Sequence, residues 1–244
     1  MSENRAEARI SLANIEHNYR LLCRKAGEKR IVMAVVKADA YGHGAVEVCR
    51  RLSDAGATHF AVACMEEAAL LRRSGIRGEL LVLGITPQEL YPSIAEYDVV
   101  QTVSSLAYAS QLADCGPVRV HIKIDTGMHR LGFQPEDVPA ICERLIAQSG
   151  VIARSVFSHL AGSDSYVFDD FTHQQLDKFT KAAGELESGL EYKVIKHILN
   201  SAGIERFPRF QHDMVRLGVG IYGISALPEV RLKPVASLKV KILQ

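Results

Sequence analysis

A lysine near the start of the chain is the first side chain whose surroundings point to chemistry. Lys37 closes the apolar run IVMAVVKA (31–38). We expect it to be buried, and burial lowers the pKa of an amine because it disfavours the charged form. A lysine that loses its proton easily forms imines with aldehydes. Lys37 is therefore a candidate for covalent attachment of an aldehyde.

Two loops late in the chain have the composition of an oxyanion cradle. They read NSAG (200–203) and RLGVGIYG (216–223). Ser201 supplies a hydroxyl donor, and the glycines at 218 and 220 let backbone N–H groups approach an anion closely. A phosphate cradle together with an imine-forming lysine fits a Schiff-base aldolase or a pyridoxal-phosphate protein. The residues by themselves leave both open.

The segment VRVHIKID (118–125) alternates apolar and ionisable side chains. Side chains two apart on a strand share a face, so the apolar positions are predicted to face helices. The other face then points to the interior and consists of Arg119, His121, Lys123 and Asp125. Buried ionisable groups cost free energy unless they pair or bind a ligand. From this segment alone, a self-satisfied ion-pair network and a binding site are equal alternatives.

The elements that must position these residues are eight short apolar runs, most of them followed by a stretch with helical spacing. The runs are 31–38, 59–64, 80–84, 99–103, 118–124, 154–159, 196–200 and 214–220. Alternating strands and helices predict an α/β fold, a (β/α)8 TIM-type barrel. An open doubly wound sheet is less favoured because no GxGxxG follows the first run.

A barrel of this kind carries its active residues at the carboxyl ends of its strands. The polar or glycine residues at those ends are Lys37, Lys123, Asp125, His159, Asn200, Ser201, Arg216 and Gly218. These side chains are therefore predicted to meet at one rim.

Both ends of the chain carry strand-like segments outside the eight runs. The leading run ARISL (8–12) is expected to pair elsewhere, and the last segment, VASLKVKILQ (235–244), alternates like a strand. We expect no neighbour for this last strand in the chain. The prediction is a barrel domain over 1–232 and, over 233–244, the first strand of a missing C-terminal β-rich domain.

Composition excludes several classes of function. The 29 Lys and Arg residues balance 28 Asp and Glu residues, which argues against a nucleic-acid partner. No apolar stretch is long enough to cross a membrane. Five scattered cysteines without a CxxC pair are typical of reduced thiols in the cytoplasm, and no histidine spacing points to a metal.

Several segments together resemble the alanine racemase family. They are VVKADAYGHG (35–44), KIDTGMHRLGF (123–133), FSHLAGSD (157–164), LNSAG (199–203) and VRLGVGIYG (215–223). They follow the family's order and spacing over almost the whole chain. The resemblance implies a pyridoxal 5'-phosphate barrel followed by a β-rich domain, a homodimer with an active site shared across the interface, and a small amino-acid substrate.

The resemblance also assigns roles to individual residues. Lys37 would hold the cofactor and act as one of two bases, with catalytic roles also for Arg130, His159 and Arg216. The cofactor-binding residues would be Lys37, Tyr41, His159, Asn200, Ser201, Arg216, Gly218 and Val219. Lys123 stands at a position that is often carbamylated in the family.

The sequence departs from the family at two points. In the family, the second base is a tyrosine of the C-terminal domain. We expect no counterpart of this tyrosine in the sequence, and therefore little activity of the 244-residue chain. His129 stands where many members have Gly, which leaves the substrate preference, alanine or serine, open.

The predicted function is interconversion of L-alanine and D-alanine for peptidoglycan. The alternative is a non-catalytic, single-barrel pyridoxal-phosphate protein that serves cofactor homeostasis.

Overall fold

The computed structural model describes residues 6–147 and 150–242. In these ranges, eight parallel strands form a barrel surrounded by helices, and two further strands pair outside it. The strands are β1 (Ala6–Ile10), β2 (Ile31–Val35), β3 (His59–Val62), β4 (Glu79–Val82), β5 (Val100–Val103), β6 (Val118–Lys123), β7 (Val151–Phe157), β8 (Ile195–His197), β9 (Met214–Leu217) and β10 (Ala236–Val240).

Helices alternate with the strands along the chain. They are α1 (Leu12–Ala26), α2 (Lys37–Gly42), α3 (Ala45–Asp54), α4 (Met65–Arg73), α5 (Tyr91–Glu96), α6 (Leu106–Ala113), α7 (Val138–Ala147), α8 (Asp169–Leu190) and α9 (Ser201–Arg206). None of the helices in the described ranges is both long enough and apolar enough to cross a membrane.

Neighbouring strands of the barrel are paired from β8 through β7 and on to β2 and β9. The two ends of this order meet through backbone hydrogen bonds. The N–H of Arg216 donates to the carbonyl of Leu199 at 3.0 Å, and the N–H of Asp213 donates to the carbonyl of Lys196 at 3.2 Å. The predicted (β/α)8 barrel is confirmed, and each of the eight runs overlaps one of its strands.

The strand β2 shows how alternation divides the core into two layers. Ala34 and Val36 belong to the large outer cluster between strands and helices, whereas Met33 and Val35 belong to a small cluster inside the barrel. The other members of the inner cluster come from β3, β4, β5 and β9. Because side chains two apart share a face, the same alternation directs Lys37 to the interior side.

The strand β6 supplies the ionisable part of the barrel interior. Its apolar positions lie in the outer cluster, as predicted, and His121, Lys123 and Asp125 are buried. The prediction for Arg119 is wrong: its guanidinium is partly exposed and pairs with the exposed carboxylate of Asp98 at 2.6 Å. Arg119 lies near the start of the strand, where a long side chain can reach water.

The last described strand has a partner within the chain, contrary to the expectation. The strand β10 pairs antiparallel with β1, with Ala6 opposite Val240 and Ile10 opposite Ala236. The leading run thus pairs outside the barrel, as expected. Sequence reasoning missed this pairing because about 230 residues separate the two strands. The predicted boundary at 232/233 stays a prediction.

Buried Asn18 on α1 connects the barrel to the segment before β10. Its side-chain amide donates to the carbonyls of Ile221 and Lys233 at 3.2 and 2.8 Å, and its oxygen accepts the N–H of Lys233 at 2.8 Å. Both the nitrogen and the oxygen of the buried amide thus have hydrogen-bond partners, which explains why a polar residue is tolerated at this position.

Candidate active site

The carboxyl end of the barrel gathers the predicted site residues. Lys37 and Tyr41 follow β2, Lys123 ends β6, His159 follows β7, Asn200 and Ser201 follow β8, and Arg216, Gly218 and Val219 lie at the end of β9 or just after it. Because all eight strands are parallel, these positions share one rim. Arg130 lies in the longer loop after β6.

The segment after β2 turns in an unusual way. Lys37 begins α2, and the next four residues, Ala38 to Tyr41, have φ between 51° and 55°. These values define a left-handed turn, which costs roughly 1–2 kcal/mol per residue for L-amino acids. Surrounding contacts must therefore hold the segment in this conformation.

Three polar side chains supply such contacts. The carboxylate of Glu67 accepts the N–H groups of Ala38 and Ala63, each at 2.7 Å. Asp39 accepts the N–H of Ala45 at 2.7 Å, and Nδ1 of His43 lies 2.9 Å from the carbonyl oxygen of Ala40. Glu67 was missed by sequence reasoning because it lies on α4, 29 residues from Ala38.

The lysine itself is less buried than expected. Lys37 is partly exposed at the rim, so the burial on which the sequence argument relied is incomplete. Its Nζ lies 6.0 Å from the ring centre of Tyr41, and the Tyr41 ring packs against Tyr222 at 5.1 Å. The hydroxyl of Tyr222 donates to the carbonyl of Val35 at 3.1 Å, which ties this aromatic pair to β2.

The two glycine loops form one cradle around Ser201. Its hydroxyl oxygen accepts the N–H groups of Gly218 and Gly220 at 3.0 and 3.1 Å. The hydroxyl hydrogen is thereby left to donate to an anion. The N–H of Val219 has no acceptor among the described residues.

Side chains at the glycine positions would fill this cradle. A Cβ on Gly218 would lie 3.2 Å from the Tyr41 hydroxyl, and a Cβ on Gly220 would lie 2.7 Å from a methyl group of Leu22. The Tyr41 hydroxyl therefore lies beside the cradle, and the donors present are those that suit a phosphate group.

Asn200 fixes the start of α9 and so the position of Ser201. Its side-chain oxygen accepts the N–H of Gly203 at 2.9 Å and the hydroxyl of Ser163 at 2.8 Å. Asparagine is a favoured residue at a helix N-terminus for this reason.

Arg216 lies deep in the barrel, with 3% of its surface exposed. Its guanidinium donates to the carbonyls of Ser158 at 2.6 Å and Ile198 at 3.0 Å, and to Nδ1 of His197 at 2.5 Å. Burial lowers the pKa of Arg216 to about 9, so the side chain is still cationic at neutral pH. Because a guanidinium has only donors, this site presents N–H groups to any ring nitrogen.

His159 lies beside this guanidinium, as the resemblance implies. Its Nδ1 is 3.3 Å from Nη2 of Arg216. Burial and the positive charge of Arg216 hold the pKa of His159 well below its ordinary value, so the ring is neutral. The accepting nitrogen therefore faces Arg216.

Buried Gln175 braces the loops that carry these groups. Its side-chain amide donates to the carbonyl of His159 at 3.1 Å and to the hydroxyl of Thr126 at 3.3 Å, and its oxygen accepts the N–H of Ala161 at 2.9 Å. Sequence reasoning missed Gln175, because the helical spacing of α8 does not show that this amide links the loops after β6 and β7.

Lys123 is a buried amine surrounded by cations. Its Nζ lies 5.2 Å from the ring centre of Phe157. Burial, together with the nearby charges of Arg216 and Arg130, lowers the pKa of Lys123 to about 8, although Asp125 opposes the shift. Arg130 is exposed, and its guanidinium has no hydrogen bond or ion pair within the described ranges.

Asp125 organises the loop that carries Arg130. Burial by itself would raise its pKa, but the N–H groups of Gly127 and His129, both at 3.0 Å, lower it overall. The His129 ring also lies 3.2 Å from the carboxylate, and its φ is 53°. Histidine thus adopts here the left-handed conformation that glycine adopts at lower cost.

The comparisons with known proteins agree with this geometry. Residues 10–226 match the family model for the N-terminal domain of alanine racemase. The chain belongs to the alanine racemase family. Curated alanine racemases of Clostridium acetobutylicum and Desulforamulus reducens are 38% and 36% identical to it, over 97% and 96% of the chain. A structure of Clostridium difficile alanine racemase in complex with cycloserine superposes with a TM-score of 0.91 at 33% identity, over 99% of this chain and 69% of that one.

The chain spans 64% and 66% of the lengths of the two curated relatives. The family model covers residues 10–226, which include all eight strands of the barrel. The matches favour the alanine racemase family over a single-barrel homeostasis protein or an aldolase.

Proposed function

We propose that this chain is the pyridoxal-phosphate-binding barrel of an enzyme that interconverts L-alanine and D-alanine. The observation that carries the proposal is the meeting of Lys37, the Ser201 cradle and buried Arg216 at one rim. An amine for the aldehyde, a phosphate site and a polar partner for the ring nitrogen are the three contacts that would hold this cofactor. The names of the relatives support alanine as the substrate.

The residues at the rim fit the cofactor chemically. Lys37 supplies the amine for the aldehyde, while the hydroxyls of Ser201 and Tyr41 and the N–H of Val219 supply phosphate donors. Arg216 supplies N–H groups for the ring nitrogen, and His159 packs beside it. When bound, pyridoxal phosphate withdraws electrons from the amino acid and so makes its α-hydrogen acidic.

Arg216 would favour proton exchange over transamination. A nitrogen placed against its donors accepts a hydrogen bond and stays unprotonated. With Arg216 beside the ring nitrogen, the cofactor would supply a weaker electron sink, which would favour return of the proton to the α-carbon over transamination. The cation persists at neutral pH because the pKa of about 9 lies well above 7.

Lys37 and Arg130 would act on the substrate directly. The Lys37 amine would remove the α-proton on one face or return it there. Arg130, whose guanidinium has no partner in the described ranges, would receive the substrate carboxylate. Lys123 would orient Arg130 after carbamylation, since a carbamate is an anion.

Racemisation needs a second base on the opposite face. By its resemblance to the family, we propose that this base is a tyrosine contributed by a second domain across a homodimer interface. By itself, the barrel would then exchange the α-proton but invert alanine poorly. We also propose a cytoplasmic location and a supply of D-alanine to peptidoglycan, with five free cysteines as support for the former.

Hydrogen exchange in D2O separates the two bases. The purified chain, loaded with pyridoxal phosphate, is incubated with L-alanine or D-alanine, and deuterium at the α-carbon and inversion are measured. We expect deuterium in one enantiomer with little inversion, and neither in Lys37→Ala. Exchange in neither enantiomer would contradict the role of Lys37, and inversion as fast as exchange would show that this chain contains both bases.

A further inference from the structure

A row of polar side chains crosses the barrel interior behind Arg216. Glu79 begins β4 at the amino end of the barrel, His121 lies within β6, and His197 ends β8. Both histidines are completely buried, and Glu79 keeps 15% of its side chain exposed. The mechanism above uses neither Glu79 nor His121.

The row extends from Arg216 to the amino end of the barrel through hydrogen bonds and, at its last step, a longer contact. Nδ1 of His197 accepts from Arg216, and Nε2 of His197 lies 3.3 Å from Nδ1 of His121. Nε2 of His121 lies 3.6 Å from Oε1 of Glu79. Neither of these last two atoms has a closer hydrogen-bond partner in the described part of the chain, so each faces the other.

Arg216 determines which nitrogen of each histidine in the row carries the hydrogen. A guanidinium cannot accept, so Nδ1 of His197 carries no hydrogen and Nε2 carries it. That N–H lies between the Ser155 hydroxyl at 3.1 Å and Nδ1 of His121 at 3.3 Å. A hydrogen on Nδ1 of His121 would clash with it, so this nitrogen has to be the accepting one. His121 therefore carries its own hydrogen on Nε2, directed at the carboxylate of Glu79.

The charges explain why a carboxylate belongs at the far end. No carboxylate in the described ranges hydrogen-bonds to Arg216, whose acceptors are carbonyl oxygens and ring nitrogens. Lys123, a further cation, lies close enough to Arg216 for the two charges to repel. Burial lowers the pKa of both histidines, which keeps the rings neutral, while the close approach of His121 is the largest cause that lowers the pKa of Glu79.

We propose that Glu79 is the remote counter-ion of Arg216, connected to it through His121 and His197, and that these three are positioning residues for the cofactor ring nitrogen. Aligned hydrogen bonds polarise one another, so the negative end strengthens the acceptor that Nδ1 of His197 offers to Arg216. The guanidinium is thereby held in one orientation. The proposal rests on the proposed function, because that function places the ring nitrogen against Arg216.

His59 provides a matched control. Its Nε2 lies 3.9 Å from the same oxygen of Glu79, but it is not part of the row that leads to Arg216. Its other nitrogen is 2.8 Å from the hydroxyl of Thr58. A change at His59 disturbs the neighbourhood of Glu79 and leaves the connection to Arg216 intact.

The first test needs no cofactor and no substitution. Long-range proton–nitrogen NMR of the histidine-labelled chain reports which ring nitrogen carries the hydrogen. We expect His121 and His197 to be neutral at pH 7 and to carry it on Nε2. A hydrogen on Nδ1 of either ring would overturn the row.

The second test measures cofactor affinity with two ligands. The probes are pyridoxal phosphate and its 1-deaza analogue, in which carbon replaces the ring nitrogen. We expect Glu79→Gln to weaken pyridoxal phosphate binding roughly tenfold and to leave the analogue within about twofold, whereas His59→Asn changes neither by more than about twofold. Melting temperatures show whether the variants are folded.

Three outcomes of this second test are informative in different ways. Equal weakening of both ligands by Glu79→Gln, or equal effects of the two substitutions, would overturn the role of Glu79. If the unsubstituted chain binds neither ligand, the proposed function fails and this role of Glu79 fails with it. The tautomer measurement would still decide whether the row exists.

Discussion

The hydroxyl oxygen of Ser201 accepts the N–H of Gly218 at 3.0 Å, and this bond joins the loop after β8 to the loop after β9. The two loops are consecutive along the barrel rim because β8 and β9 are the strands that close it. A single hydroxyl therefore shapes the phosphate cradle and also offers its own hydrogen to the anion.

Removing the Ser201 hydroxyl is expected to weaken the binding only of ligands that carry a phosphate group. In Ser201→Ala, two backbone N–H groups lose their acceptor and the anion loses a donor. We expect the affinity for pyridoxal phosphate to fall about tenfold or more, since hydrogen bonds to charged groups contribute about 1.5–3 kcal/mol. Affinity for pyridoxal, which has no phosphate, is expected to change little. Equal losses for both ligands, measured by absorbance titration, would remove Ser201 from the cradle.

The lowered pKa of Lys123 predicts that the stability of the fold rises with pH in the alkaline range. Its pKa is about 8 in the folded chain and about 10.5 in the unfolded one, so the unfolded state binds more protons between these values. The free energy of unfolding contributed by this group therefore rises from pH 8 to pH 10.5, by about 3 kcal/mol in total.

The matched variant is Lys123→Met. Relative to it, the unsubstituted chain is expected to be less stable at pH 7 and to recover as the pH rises toward 10. Urea unfolding of both proteins at several pH values measures the difference. A difference that does not depend on pH would contradict the lowered pKa of Lys123.

The same amine predicts carbamylation. A pKa of about 8 leaves part of the Lys123 population neutral near neutral pH, and the neutral amine attacks carbon dioxide. A nitrogen–carbon bond forms, one proton is released, and the resulting anion lies near Arg216 and Arg130. We expect a carbamate NMR signal from the chain in ¹³C-bicarbonate and none from Lys123→Met. Persistence of the signal in the variant would assign it to another amine.

Replacing Gln175 is expected to lower the stability of the fold. Substitution with Ala removes its bonds to the carbonyl of His159 and the N–H of Ala161. We expect the free energy of unfolding to fall by about 1–3 kcal/mol, because buried polar groups lose their partners. The control is Gln174→Ala, whose side chain is exposed on the same helix. Denaturant unfolding measures both variants, and an equal loss of stability in Gln175→Ala and Gln174→Ala would rule out the bracing role of Gln175.

Local patterns predicted the part of the site that lies on strands. The alternation over 118–125 identified the buried His121, Lys123 and Asp125, and the carboxyl ends of the runs located Lys37 and Arg216. Both succeeded because the period of a strand and the parallel arrangement of a barrel determine which side chains share a face.

Contacts between distant segments were beyond these patterns. Glu67 reaches the left-handed turn from another helix, Tyr222 reaches the carbonyl of Val35 across 187 residues, and β1 pairs with β10. The prediction that Arg119 points to the interior was wrong for a local reason. Alternation assigns a face to the residue but ignores the length of a side chain that can extend to water. Sequence periodicity carries no information about which distant segments meet.

Attachment of the pyridoxal phosphate aldehyde to the Lys37 amine is the proposal on which the other roles depend. Locating the attached lysine tests it directly. The loaded chain is reduced with borohydride, digested, and searched by mass spectrometry for the lysine that carries the pyridoxyl group. We expect this group on Lys37, none on Lys37→Ala, and an unchanged result for the exposed control Lys29→Ala. Attachment to a different lysine, or no attachment in the unsubstituted chain, would contradict it.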